Sequence, residues 1–314
     1  MTPGEKALVL GGGILTLLVF ASLVAARVRR RAGTPAARAV ADNLYARIQA
    51  WWVMVFILGA AYCFGEVTTL VLFGLLSFFA LREFITLTPT RAADHKALAV
   101  AFFALIPAQY TLIGIDWYNL YAILIPVYGF LLLPSLGTLG QDTEQYLERT
   151  AKIQWGVFVT VYCISHAPAL LLLRIPGYEN QSALLLFYLI LVVQISDVLQ
   201  YVAGKLLGRT PVAPGVSPSK TVEGLVYGGL GAVLVGTGLW WVTPFSPWQA
   251  AGLSAMIVIT GFMGGLVLSA VKRSLGAKDW GTLIRGHGGV LDRLDSVSFA
   301  APVFFHLVRY FFTP

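Results

Sequence analysis

Apolar runs of about 15–21 residues, broken by short polar stretches, set the frame of this chain. Taken as helices, the runs are 7–26, 48–64, 67–81, 97–115, 118–136, 153–173, 182–202, 222–242, 249–268 and 297–312. A helix crosses a hydrocarbon core of about 30 Å with roughly 20 apolar residues. The pattern therefore predicts an all-α, polytopic integral membrane protein of about ten transmembrane helices. The last run is short and carries His306 and Arg309, so tilting, snorkelling or internal packing are all open to it. Few segments alternate polar and apolar at period two, which argues against a β-barrel.

The polar stretches carry the topology. The segment after the first run holds six arginines (Arg27, Arg29, Arg30, Arg31, Arg38, Arg47) against Asp42. Cationic loops stay on the cytoplasmic side. With that segment inside, the loops around residues 82–96, 137–152, 203–221 and 269–296 also fall inside. Both termini then lie outside, in a bacterial-type inner membrane. The chain is expected to divide into N-terminal helices over 1–180 and a second transmembrane region over 181–314 that holds the loops 203–221 and 269–296.

Composition agrees with this frame. Hydrophobic residues make up 57% and charged residues 12%, where soluble domains carry about 25% charged. Mean hydropathy is +0.76. The net charge of +7 is accounted for by the inside loops, so no nucleic-acid partner is expected. Cys63 and Cys163 both lie in apolar runs and read as buried free thiols, without disulfide or zinc spacing.

Two loops hold the candidate chemistry. Residues 269–296 read SAVKRSLGAKDWGTLIRGHGGVLDRLDS, a dense mixture of cations, carboxylates and glycines. Asp292 and Asp295 stand three apart, on one face if the segment is helical. Converging carboxylate oxygens beside water suit Mg²⁺, with a phosphate completing its shell. Gly288 and Gly289 allow close backbone approach to a polyphosphate. His287 is read as a hydrogen-bond partner of phosphate or backbone in preference to a general acid or base.

The other loop, 203–221, contains Ser217, Ser219, Lys220 and Thr221, followed by Glu223. It is read as a phosphate-binding turn leading into a helix N-terminus. A simple capped helix start accounts for it equally well. Asp197 lies near the end of an apolar run, and an intramembrane carboxylate is a functional candidate by default. Its partner would be a metal or a loop lysine.

The last loop resembles the signature of the phosphatidate cytidylyltransferases, the CDP-diacylglycerol synthases. Ser269, Lys272, Arg273, Lys278, Asp279, Gly281, His287, Gly288, Gly289, Asp292, Arg293 and Asp295 match it in order and spacing. Ser217, Pro218, Lys220, Thr221, Glu223 and Gly224 are similar to a second segment of that family, and Leu81–Arg82–Glu83–Phe84 to a third. Arg285 stands where the family usually has proline. Val198, Leu199 and Gln200 replace a small or hydroxyl residue, glycine and alanine, as in a divergent branch.

The resemblance implies transfer of a cytidylyl group from CTP to phosphatidate, giving CDP-diacylglycerol and pyrophosphate with Mg²⁺, a second cation being open. It makes Lys278, Asp279, Asp292 and Asp295 the candidate catalytic residues. Asp197, Asp279, Asp292 and Asp295 are the candidate metal ligands. Ser217, Ser219, Lys220, Lys272, Arg273, His287, Gly288, Gly289 and Arg293 are candidate contacts to nucleotide or lipid phosphate. Membrane lipids are expected partners, and a homodimer is left open. Two other readings are a cytidylyltransferase for another lipid or isoprenoid phosphate and a transporter of an anionic lipid or metabolite.

Overall fold

The computed structural model describes residues 1–283 and 288–314. Arg285 and His287 lie outside the described residues. Helices occupy each of the ten expected positions: α1 (Pro3–Arg31), α2 (Pro35–Cys63), α3 (Glu66–Leu87), α4 (Ala92–Gly114), α5 (Tyr118–Thr138), α6 (Tyr146–Leu172), α7 (Ala183–Leu207), α8 (Gly224–Gly238), α9 (Pro247–Ser274) and α10 (Leu291–Phe312). Among the described residues, eight of them are long and apolar enough to cross a membrane, α8 and α10 being the other two. The chain is an all-α polytopic membrane protein.

Local chemistry explains several helix boundaries. Thr2 with Glu5 and Ser246 with Gln249 form reciprocal caps at the starts of α1 and α9, each followed by proline in the first turn. Arg29, Arg30 and Arg31 close α1, where the helix dipole favours cations. Inside α4 and α5, wider π-helical turns at Ala101–Leu105 and Leu124–Gly129 accompany Pro107 and Pro126, which have no N–H to donate.

The most enclosed helix is α6, with 78% of its apolar window buried. Ile164, Ala167 and Leu170 on it are fully buried within the core. By contrast, α2 leaves most of its surface outward, and Cys63 is exposed on it. That corrects the expectation of two buried thiols: only Cys163 is buried. An outward face on a membrane helix meets lipid, so hydropathy alone does not separate the two environments.

Two close helix contacts depend on missing side chains. A Cβ on Gly228 would fall 2.4 Å from the Gln200 amide nitrogen, so α8 packs directly on the α7 backbone. A Cβ on Gly264 would fall 2.7 Å from the Asp295 carbonyl oxygen, so α9 packs equally closely on α10. In lipid, where apolar burial between helices gains little, such backbone approach supplies the packing.

At the end of the bundle where α7, α9 and α10 carry Asp197, Lys272 and Asp292, a two-stranded antiparallel hairpin interrupts the helical pattern. It consists of β1 (Pro211–Ala213) and β2 (Ser217–Thr221). Residues 217–221 are thus a strand leading into α8 rather than the turn expected from the sequence. Glu223 closes the hairpin base by accepting from the backbone N–H groups of Arg209 and Thr210 at 2.9 and 3.0 Å. The side chain of Thr221 accepts from Gly224 N at 3.1 Å, which is the capped helix start.

Candidate functional site

The last loop is built around Asp292. One oxygen of its carboxylate receives Lys272 Nζ at 2.6 Å. The other receives the backbone N–H groups of Trp280 and Gly289 at 2.8 and 2.9 Å. Both charged side chains are almost wholly enclosed. Gly288 adopts φ +84°, and a Cβ there would meet Asp292 Oδ2 at 2.7 Å. Glycine is required on both counts.

A second carboxylate enters from far upstream. Glu83, on α3, accepts from Val290 N and Leu291 N, both at 2.9 Å. Next to it, Phe84 stacks on Trp280 with ring centroids 5.2 Å apart. In the sequence Glu83 stands out only as part of a short family match, with no role attached to it. Nothing in the local sequence signals a partner 207 residues away. The geometry also draws the candidate site from both sides of the proposed division at residue 180.

One turn beyond Asp292, a further group converges on Ser296. Its hydroxyl donates to Asp197 Oδ1 at 3.1 Å, and its backbone N–H donates to Asp295 Oδ1 at 2.8 Å. Lys220 points from β2 toward this group. A Cβ on Gly265 would fall 2.5 Å from Lys220 Nζ and 3.5 Å from Ser296 Oγ. Burial pushes the Lys220 ammonium below its ordinary value, while Asp295 and Asp197 pull it back up and Lys272 opposes them. The lysine lies in the electrostatic reach of both carboxylates, yet its hydrogen bond is to the Phe262 carbonyl, at 3.4 Å. Arg293 acts electrostatically on Asp197 and Asp295, and its Nε is buried with no hydrogen-bond partner among the described residues.

The other expected residues lie farther out. Arg273, Lys278 and Asp279 are exposed along the loop. Arg273 reaches the Ala277 and Val216 carbonyls at 3.2 and 3.5 Å, linking the loop to the hairpin. Ser219 is exposed on β2, and Ser217 is half-buried in register with Ala213.

The four carboxylates expected as metal ligands are therefore not gathered into one cluster. No group of three or more acidic, histidine or cysteine side chains converges among the described residues. The reason is chemical: Asp292 is already occupied by a cation and two N–H donors, and Asp279 stays on the loop surface. What remains is a pair, Asp197 and Asp295, held by the same serine.

The model of the cytidylyltransferase family matches residues 45–311. An uncharacterized protein of Escherichia coli, YnbB, is 39% identical over 84% of this chain and 87% of its own length. A phosphatidate cytidylyltransferase of Synechocystis is 44% identical over 36% of this chain and 39% of its own length. The enzyme of that name from Mycobacterium leprae is 44% identical over 38% of this chain, again covering 39% of the relative.

Proposed function

Because this chain belongs to the cytidylyltransferase family, we propose that it transfers a cytidylyl group from CTP to a lipid phosphate, with phosphatidate as the acceptor. The products are CDP-diacylglycerol and pyrophosphate. The observation that carries this reading is the Asp197–Ser296–Asp295 arrangement beside Lys220, at the end of the bundle that also holds the glycine-rich loop.

The chemistry needs little proton transfer. A lipid phosphate is already ionised near neutral pH, so its oxygen attacks the α-phosphorus without a strong base. One P–O bond forms there, the bridging P–O bond to the β-phosphate breaks, and pyrophosphate leaves with the electron pair. The protein's task is alignment and charge compensation.

Lys220 and Arg293 supply positive charge at the half-buried pair, and exposed Lys278 and Arg273 extend it outward for a polyphosphate tail. Gly288 and Gly289 face the carboxylates of Asp292 and Glu83 and shape the loop beside that path. Asp197 and Asp295 offer hard oxygen donors in the number that Mg²⁺ takes from protein when phosphates and waters complete its shell. When bound, the ion would offset charge on the α-phosphate and the leaving group. Asp279 and Asp292 take no part in this ligand set.

This reading places the hairpin and the last loop at the cytoplasmic face of the inner membrane, where CTP and Mg²⁺ are found, with acyl chains entering from the inner leaflet. The test is pyrophosphate release by the purified chain in detergent, with labelled CTP and a panel of acceptor lipids. Mg²⁺-dependent release with phosphatidate is expected. Release only with a different lipid or isoprenoid phosphate would move the acceptor, and substrate movement without release would replace the enzyme by a carrier.

A further inference from the structure

We propose that Glu83 is a positioning residue for the nucleotide site, setting the start of α10 and through it the orientation of Asp295. The carboxylate spans two successive amides, with Val290 N on Oε1 and Leu291 N on Oε2, each at 2.9 Å. These two residues open the first turn of α10, where backbone N–H groups have no intrahelical acceptor. An anion there is favoured by the unpaired donors and by the helix dipole.

The loop is shaped to receive this side chain. A Cβ on Gly289 would lie 2.3 Å from Glu83 Oε2, and one on Gly281 would lie 2.8 Å from Oε1. Both strands of the loop therefore close on the same carboxylate. Phe84 adds the stacked Trp280 ring from the next position of α3. Asp292 ties the same two strands from the other side, through Trp280 N and Gly289 N. The loop is clamped between a carboxylate of its own helix and one borrowed from α3.

Asp295 and Ser296 follow within the next turn of that helix. A rotation of the first turn changes where the Asp295 carboxylate stands relative to Asp197 on α7. Small displacements of this kind lower turnover steeply. Glu83 itself bonds none of the charged side chains assigned to phosphate or metal.

The proposal rests on the reading of this end of the bundle as the nucleotide site, and two measurements separate the two. In E83Q, which keeps shape but loses charge, kcat is expected to fall about 10- to 100-fold, the scale of a lost charge-assisted bond, with KM for CTP changed less than about threefold. Hydrogen exchange of the Val290 and Leu291 amides should quicken, with the rest of α10 unchanged. E83D, a methylene shorter, reaches one amide and should fall between. T86V, whose hydroxyl bonds only within α3, should match the wild type. Exchange at 290 and 291 unchanged in both E83Q and E83D would overturn the proposal, whatever the activity. So would faster exchange with wild-type kcat, or a tightened KM for CTP, which would make Glu83 a competitor of substrate phosphate. A wild-type chain inactive with every acceptor lipid would sink the cytidylyltransfer reading and leave the exchange result to decide whether Glu83 holds the loop.

Discussion

Lys272 and Asp292 form an enclosed ion pair, 2.6 Å from Nζ to Oδ1, that joins the last turn of α9 to the first turn of α10 across the whole loop. The pair closes a segment that is otherwise rich in glycine and exposed charge. It also changes what substitution of Asp292 should do.

Removing one partner of such a pair leaves a buried charge uncompensated, at a cost of about 3–5 kcal/mol. K272M and D292N are each expected to lower the thermal midpoint in detergent markedly. The double variant should lose less than the sum of the two, since neither charge is then stranded. Additive losses would mean that the pair is not coupled. D292N is accordingly a stability variant first, and any loss of activity should follow the loss of the loop.

Asp197 and Asp295 should behave in the opposite way. D197N and D295N are expected to fold and insert normally while turnover drops by about 100-fold or more. S296A removes the hydroxyl bond to Asp197 but keeps the backbone bond to Asp295. A smaller loss, about three- to tenfold, is expected, with the Mg²⁺ titration midpoint moved upward. Wild-type turnover in D295N would show that this pair holds no metal used in the reaction.

Adjacent glycines on α9 give a contrast that depends only on what each faces. In G265A the new methyl meets the flexible end of Lys220, 2.5 Å away, so the lysine moves and the fold survives. Turnover should fall several-fold with little change in thermal midpoint. In G264A the methyl meets the Asp295 carbonyl and the Phe299 Cβ at 2.7 and 2.8 Å. Overpacking against backbone should cost about 1–3 kcal/mol. G252A, with nothing within 4 Å, should be neutral. Thermal melts and initial rates on the three variants check this order.

The hairpin base should respond to pH through Glu223. Its bonds from the Arg209 and Thr210 amides push the carboxyl down from the ordinary 4.5 to about 2. The unfolded form then binds the proton more tightly. The stabilisation is present in full above about pH 4.5 and is lost as pH falls toward 2. Exchange protection of the Arg209 and Thr210 amides should hold from neutral pH to about 5 and fade below that. In E223Q it should be weak and without this pH dependence.

The sequence by itself determined the membrane class, the ten helix positions and the two polar loops that hold the candidate residues. Apolar runs and clustered cations are local properties, and lipid enforces them on any chain that crosses it. It also supplied Asp197, Lys220 and Asp295, because charge next to an apolar run is conspicuous. Only the tertiary structure decided which groups each carboxylate meets. Asp292 and Asp295 are equivalent in sequence spacing, yet one is consumed by Lys272 and two amides while the other shares Ser296 with Asp197. Glu83 lies on an apolar helix and gains its place from amides two hundred residues on. Hydrogen-bond partners are set by how helices pack, and that packing depends on where glycines let backbones touch, which no local pattern records.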